Sequence, residues 1–428
     1  MPKSPPNAAF RGFSMVELMV AMLIGLLGTI IIFQVFEVSE GIKRTTTSGG
    51  DTQQNGAIAM YVIERDLRSA GMGYNDTQLA GCDIRAYDSK RSTPDIPAGT
   101  MKLVPVRISR PLPTDPDQFM VLYSSQTLVS NAITLTANMA SPIVPVRVMN
   151  PYGYRPGDLI VLLQPGQDCS LMEVTSLPVS DQLNHEAAVM YDIGSGASVT
   201  SVPARFNKPG ALGLGVTYGG TSTANVARVY NLGSVHEPIG GAPNLPVYNT
   251  YRIDTDRTSK TFNSLLVSSE FVLDAAGRPV VNAVADNIVH MRVLYGVDEG
   301  PYDANGNGDG VVDSFIDYAA FNVKVFNGIP APSWRYVLAV RVAIVARSAL
   351  AEKKASRATT WPNCDTTTDG SEAATPALPD NRPKWSGVTF DVSASGDLDV
   401  TSPLSWRCYR YRVFETTIPL RNWIWKAS

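Results

Sequence analysis

The side chains best suited to chemistry lie in one short stretch that is rich in oxygen-bearing residues. They are Asp303, Asn305, Asn307, Asp309 and Asp313. Alternate oxygen side chains separated by glycines are typical of the first half of an EF-hand-like calcium loop. The second half departs from that pattern, because the twelfth position is a serine and the last carboxylate comes one residue early. A hairpin turn is the alternative, since Asn-Gly and Asp-Gly suit positive φ. Both interpretations stay open, and calcium here would fix a loop rather than catalyse a reaction.

Other sequence patterns favour a protein that is not an enzyme. The three histidines, His185, His236 and His290, are far apart, and neither His-Glu pair has the second histidine of H-E-x-x-H. The chain contains no G-x-S-x-G motif and no P-loop. On a predicted strand, His290 is expected to be a hydrogen-bonded structural residue. The formal net charge of −3, without a basic stripe, argues against a nucleic-acid partner.

One apolar segment must position the rest of the chain. Residues 13–36 form a run of twenty-four residues whose only formal charge is Glu17. As a helix this run is about 36 Å long, which exceeds the hydrocarbon core of about 30 Å. The preceding charges, Lys3 and Arg11, are both positive, so the positive-inside rule predicts a single span with the N-terminus in the cytoplasm.

Glu17 is the unusual feature of this segment. A carboxylate inside a spanning helix costs several kcal/mol unless it is paired. Cleavage between Gly12 and Phe13 would create a positive terminus, and in an assembly of such helices a neighbour's terminus could neutralise Glu17.

The residues from Arg11 to Leu18, RGFSMVEL, resemble the class III leader of type IV prepilins and type II secretion pseudopilins. The resemblance implies removal of the leader after Gly12 by a prepilin peptidase and N-methylation of Phe13. It also implies that Glu17 sets the register between subunits.

The chain divides into four predicted parts. They are a leader (1–12), a transmembrane or fibre-core helix (13–36), an amphipathic continuation of the helix (37–72) and a β-rich head (73–428). Within the continuation, the threonines and glycines of 45–56 predict a frayed or meltable stretch, because each glycine costs about 1 kcal/mol in a helix. The charged residues 64–68 are interpreted as a solvated, ion-paired face on which Glu64 can reach Arg68.

Several segments resemble PilW-type minor pilins, most specifically YRVFETTIPLRN at 411–422, together with 155–162, 286–298 and 340–348. The resemblance implies an α+β, type IV pilin-like fold in which a long N-terminal helix packs on a large sheet-rich head. The alternating runs Val289–Tyr295 and Val340–Ala346 are predicted to form the centre of the sheet against that helix.

The resemblance implies a structural role in starting type IV pilus assembly within a tip-priming complex. The implied partners are other minor pilins, the major pilin and a PilY-type tip protein. The protein would lie in the inner membrane before assembly and in the pilus at the cell surface afterwards. Two alternatives stay open: a J-type pseudopilin of type II secretion, and a membrane-anchored calcium-binding adhesin or enzyme. No cofactor other than the possible calcium ion is expected.

Four cysteines, Cys82, Cys169, Cys364 and Cys408, follow the apolar segment and would reach an oxidising compartment that favours disulfides. Three pairings are possible. Sequential pairing, Cys82 with Cys169 and Cys364 with Cys408, closes the shortest loops and is the one we expect.

Overall fold

A helix of 55 residues leads into a head built from three main sheets. The computed structural model describes residues 14–74, 80–126, 132–178, 181–193, 200–210, 214–219, 226–235, 245–350, 382–395, 406 and 409–424. The α+β class and the long N-terminal helix followed by a sheet-rich head are confirmed.

The helices are α1 (Met15–Ser69), α2 (Tyr318–Phe321) and α3 (Arg421–Ile424). The strands before residue 240 are β1 (Ile84–Tyr87), β2 (Asp95–Ile96), β3 (Val106–Ser109), β4 (Gln118–Tyr123), β5 (Ile133–Thr134), β6 (Val146–Arg147), β7 (Asp158–Leu163), β8 (Cys169–Glu173), β9 (Gln182–Leu183), β10 (Met190–Ile193), β11 (Thr200–Pro203) and β12 (Arg228–Ser234). Those after it are β13 (Val247–Ile253), β14 (Ser264–Leu273), β15 (Pro279–Asp286), β16 (Ile288–Val297), β17 (Ser314–Ile316), β18 (Val337–Arg347), β19 (Lys384–Trp385), β20 (Val388–Thr389) and β21 (Tyr411–Pro419).

The strands pair in a simple order. The first main sheet runs β2-β1-β8-β7-β12-β5, the second β15-β14-β13-β4-β3 and the third β17-β16-β18-β21. Among the described strands only β1 and β8 pair in parallel. The predicted central pair is confirmed, since β16 and β18 are neighbours, with Met291 opposite Ile344.

The stretch 45–56 is helical, so the frayed segment expected from its composition is absent in this structure. Its glycines and threonines still carry their propensity cost. The stretch continues a helix that is already formed on either side of it, so it carries no separate cost of helix nucleation. Ser48 and Thr52 are also buried, so contact with the head stabilises this weak stretch.

The helix ends where glycine permits a left-handed turn. Gly71 has φ 79° and Gly73 has φ 88°, a region that side-chain-bearing residues avoid. The Gly71 amide donates to the Leu122 carbonyl at 3.0 Å. The helix thus ends at Ser69, three residues before the predicted bound at residue 72, and this turn directs the chain into the sheets.

The cysteine pair Cys82–Cys169 is confirmed, with a Cα–Cα distance of 5.7 Å. It joins Cys82, two residues before β1, to Cys169, the first residue of β8, at the point where these two strands begin to pair. Cys364 and Cys408 lie outside the described residues, and their pairing stays a prediction.

Candidate functional site

The apolar half of α1 has no contact with the head over most of its length. Its large side chains are exposed, for example Met15 at 88% and Phe33 at 69%. Among the described helices it alone is long and apolar enough to cross a membrane. A fully apolar, uncovered helix must be buried by lipid or by other helices.

Glu17 lies at the start of this helix, in a capping box. The Ser14 hydroxyl accepts from the Val16 amide at 3.3 Å, and the Glu17 carboxylate accepts from the Ser14 amide at 3.2 Å. A carboxylate accepts several hydrogen bonds, so this cap leaves capacity for pairing with a neighbour's terminus. Gly12 and Phe13 lie outside the described residues, and their processing stays a prediction.

The second half of α1 packs on the head along one narrow stripe. The buried positions recur at spacings of three and four residues: Ser48, Thr52, Gly56, Ala59, Ile63, Asp66, Leu67 and Ala70. At Gly56 the head approaches closely, because a Cβ atom there would lie 2.2 Å from Cε2 of Phe414 on β21. A larger residue at position 56 would therefore force the Phe414 ring to move.

Asp66 is completely buried at the centre of this interface, contrary to the expected solvated position. Its Oδ2 accepts from Tyr251 Oη at 2.6 Å and from Asn249 Nδ2 at 3.0 Å. Its Oδ1 accepts from Tyr123 Oη at 3.3 Å and from the Arg65 guanidinium at 3.2 Å. Hydrogen-bond donors from β4 and β13 thus replace water around one helix carboxylate, which joins α1 to the second sheet.

The same carboxylate affects the ionisation of the two tyrosines. Burial and the neighbouring Asp66 charge raise the pKa of Tyr123 to about 12, and they raise the pKa of Tyr251 well above its ordinary value. Both phenols are therefore protonated donors throughout the neutral range.

Glu64 and Arg68 form the predicted pair, with Arg68 Nε 3.0 Å from the Glu64 carboxylate. Both side chains are partly exposed, so this pair contributes little to stability.

The Asp303–Asp313 loop connects β16 to β17 at the end of the third sheet opposite the apolar half of α1. The Leu350 amide, just after β18, donates to Ser48, where α1 leaves the head. The opposite end of β18 pairs with the end of β16 at Val297. The loop that follows β16 therefore lies at the opposite end from the apolar half of α1.

The predicted calcium ligands are engaged with protein donors. Asp303 accepts from the amides of Asn305 and Asn307, at 2.9 and 2.7 Å, and from the Asn307 side chain at 2.8 Å. Arg335 donates to the Asn305 carbonyl at 2.9 Å and also to the Asn307 side-chain oxygen. The structure therefore places a guanidinium beside the oxygens that a cation would need.

The two later ligand candidates are held separately. Asp309 accepts from the Val311 amide at 2.9 Å, and Asp313 accepts from the Glu299 amide at 2.6 Å. Within the described residues, no group of three or more acidic, histidine or cysteine side chains is placed to hold a metal.

Asp298 fixes the conformation of this loop, although it is not among the ligands predicted from the sequence. It is buried and accepts from the amides of Gly300 and Gly310, at 3.0 and 2.8 Å. A Cβ atom on Gly308 would lie 2.0 Å from its carboxylate, so this glycine is required for close approach. Spacing alone points to Asp303 rather than Asp298, because Asp298 directly follows the apolar strand β16 and lies outside the run of alternating oxygen side chains.

His290 differs from expectation. It is buried at 1% exposure, and neither ring nitrogen has a hydrogen-bond partner among the described residues. Its edge contacts the Phe390 ring, with centroids 5.1 Å apart. The prediction that His290 is hydrogen-bonded is therefore wrong, although the residue does lie buried on a strand.

Comparison with known protein families identifies two regions of the chain. Residues 250–422 match the family described as type IV pilus-assembly protein W. Residues 7–33 match the prokaryotic N-terminal methylation motif. No curated protein and no solved structure matches the chain.

Proposed function

Because this chain carries the type IV pilus-assembly protein W region behind a prokaryotic N-terminal methylation motif, we propose that it is a minor pilin that helps to initiate pilus assembly in a tip-priming complex. The family region and the motif together support the minor pilin role. The finer placement at the tip is our inference, and so is the set of partners: other minor pilins, the major pilin and a PilY-type tip protein.

The observation that carries this proposal is the uncovered apolar half of α1 attached to a firmly docked second half. From Met15 to Ile42 the large apolar side chains are about half exposed or more. In a membrane this surface contacts lipid, and in a fibre it contacts equivalent helices. We propose that the chain passes from the first environment to the second, with its N-terminus cytoplasmic beforehand.

In this account Glu17 changes partner after removal of the leader. Before cleavage it caps its own helix through the Ser14 amide at 3.2 Å. Cleavage after Gly12 would add a positive terminus at Phe13, directly beside this cap. A neighbour's terminus then neutralises Glu17 and sets the stagger between subunits.

The test is piliation of the native cells. A strain that lacks the gene should have far fewer surface pili, wild type should restore them, and Glu17→Ala should not. Glu64→Gln is the matched control, because it removes a partly exposed carboxylate of the same helix and should restore piliation. Immunoblots check that each variant is present in the membrane.

Two results would count against the proposal. If the deletion leaves piliation normal and blocks export of secreted proteins, the pseudopilin alternative is correct. If Glu17→Ala restores pili fully, Glu17 has no role in subunit register.

A further inference from the structure

The third sheet is covered on one face by a segment that no backbone ladder attaches to it. We call residues 382–395 the strap. Its two short strands, β19 and β20, pair only with each other among the described strands. The strap buries Trp385, Phe390 and Val392 against the sheet, where they contact Val289, Ala343 and Val345. The opposite face of this sheet packs on α1.

Side chains fasten the strap at its two ends. Near its start, Trp385 donates to the Glu415 carboxylate and lies 4.9 Å from the Arg341 guanidinium. At its end, Asn263 donates to the Ser395 carbonyl at 3.2 Å, and the hydroxyls of Ser395 and Tyr411 are 3.0 Å apart. These are side-chain contacts, and none of them belongs to the strand pairing of the sheet beneath.

His290 lies between these fastenings, under Phe390. Its two ring nitrogens are buried without a partner in the described structure. A buried polar group without a hydrogen bond destabilises the state that buries it, and water would satisfy both nitrogens as soon as the strap lifts. The closed state therefore contains a group that favours the open state.

The charges that face His290 come from three elements. Arg292 is on its own strand, Arg110 follows β3, and Asp391 is on the strap. Burial, then the Arg292 and Arg110 charges, disfavour the imidazolium, and the Asp391 charge offsets them only in part, so the pKa of His290 falls to about 3.

We propose that the strap is a displaceable cover of the third sheet, closed at neutral pH and released when His290 takes up a proton. Lifting the strap gives the imidazolium water and exposes the apolar face around Val289 and Val345. Because an exposed histidine has a pKa of about 6.5, the equilibrium between open and closed strap shifts towards open by roughly 30-fold between pH 7.5 and 5.0.

Hydrogen exchange on the full chain in detergent micelles measures this equilibrium. The reporter is the Phe390 amide, which donates to Pro383 within the strap at 2.9 Å. A two-stranded hairpin alone is marginally stable in water, so this bond opens once the strap leaves the sheet. Its protection factor, corrected for the intrinsic rate at each pH, should fall about 30-fold from pH 7.5 to 5.0. The Val342 amide in the central strand of the sheet should stay far more protected, which shows that the opening is local.

Three variants test the role of His290. His290→Leu removes both the buried polar atoms and the titration, so strap protection should rise and lose its pH dependence; His290→Phe gives a second apolar replacement if the first does not fold. Phe390→Ala should raise opening at both pH values and keep the pH dependence. The proposal is overturned if wild-type protection at Phe390 is the same at both pH values. It is also overturned if the apolar variants keep the pH dependence, or if Phe390 and Val342 exchange together.

Discussion

Asp66 brings a carboxylate into the interface between α1 and the head, where it is fully buried. Tyr123, Asn249 and Tyr251 donate to it from the second sheet. These hydrogen bonds fix the orientation of α1 about its own axis. If the helix rotated, the carboxylate and its three donors would all lose their hydrogen-bond partners.

Replacing Asp66 by leucine should lower the free energy of unfolding by about 2–4 kcal/mol, since it leaves the buried Tyr251 phenol without an acceptor and removes the acceptor of the half-buried Tyr123 and Asn249 side chains. Denaturant unfolding of the full chain in detergent measures the change. Glu64→Gln is the control and should cost less than about 0.5 kcal/mol, because the Glu64–Arg68 pair is partly exposed. Equal losses for the two variants would contradict the role given to Asp66.

The sequence contains one indication that Asp66 is buried, but the charged residues beside it indicate a solvated position. Ala59, Ile63 and Ala70 mark the buried stripe, and position 66 falls on it at helical spacing. The flanking charges Glu64, Arg65 and Arg68 favour a solvated interpretation, because aspartate is seldom buried without a partner. The partners come from β4 and β13, which are distant in sequence, so local spacing could not reveal them.

At the scale of elements, the glycines of α1 have two different explanations. At Gly50 a Cβ atom would meet nothing within 4 Å, whereas at Gly56 it would clash with Phe414. The residue type gives both positions the same helix-propensity cost, and only the proximity of β21 to Gly56 distinguishes them. The edge strand β15 is likewise hard to recognise from sequence, because its apolar residues do not alternate with polar ones and much of the strand is exposed.

This contrast gives a matched pair of substitutions. Gly50→Ala should stabilise the helix by about 1 kcal/mol through helix propensity alone. Gly56→Ala should be destabilising by up to about 2 kcal/mol, because overpacking costs about 1–3 kcal/mol and the propensity gain offsets about 1 kcal/mol of it. Hydrogen exchange of the amides in the middle of α1, together with denaturant unfolding, measures both effects. Stabilisation by Gly56→Ala would show that β21 does not pack this closely.

The loop between β16 and β17 is a second element whose role can be tested. We propose that Arg335 and internal hydrogen bonds hold the loop, so millimolar calcium should leave the melting temperature unchanged. Asp303→Ala should lower stability by about 1–2 kcal/mol without calcium, because it removes an acceptor of three hydrogen bonds. Asp309→Ala, which removes one local contact, should cost less.

Calorimetry with and without calcium measures these effects. A calcium-dependent rise in melting temperature that both substitutions abolish would instead establish the metal site that the alternating oxygens first indicated.

At the scale of the whole molecule, the family match contains the third sheet and leaves out the first, while the second sheet takes strands from both sides of the boundary. The match begins at residue 250 and includes the whole third sheet. The first sheet comes entirely from residues before 240, and the Cys82–Cys169 disulfide holds two of its strands. The general plan, a long helix on a sheet-rich head, could be predicted from the apolar run and the alternating strands. The order of strands between sheets could not, because it depends on contacts between distant residues.

The proposed function requires that the chain leaves the membrane and enters a fibre. N-terminal mass spectrometry of sheared surface fibres and of membranes from the native cell tests this most directly. The account predicts a chain that begins at N-methylated Phe13 and is present in the sheared fibres. A chain that keeps residues 1–12 in every fraction and is absent from the fibres would contradict it.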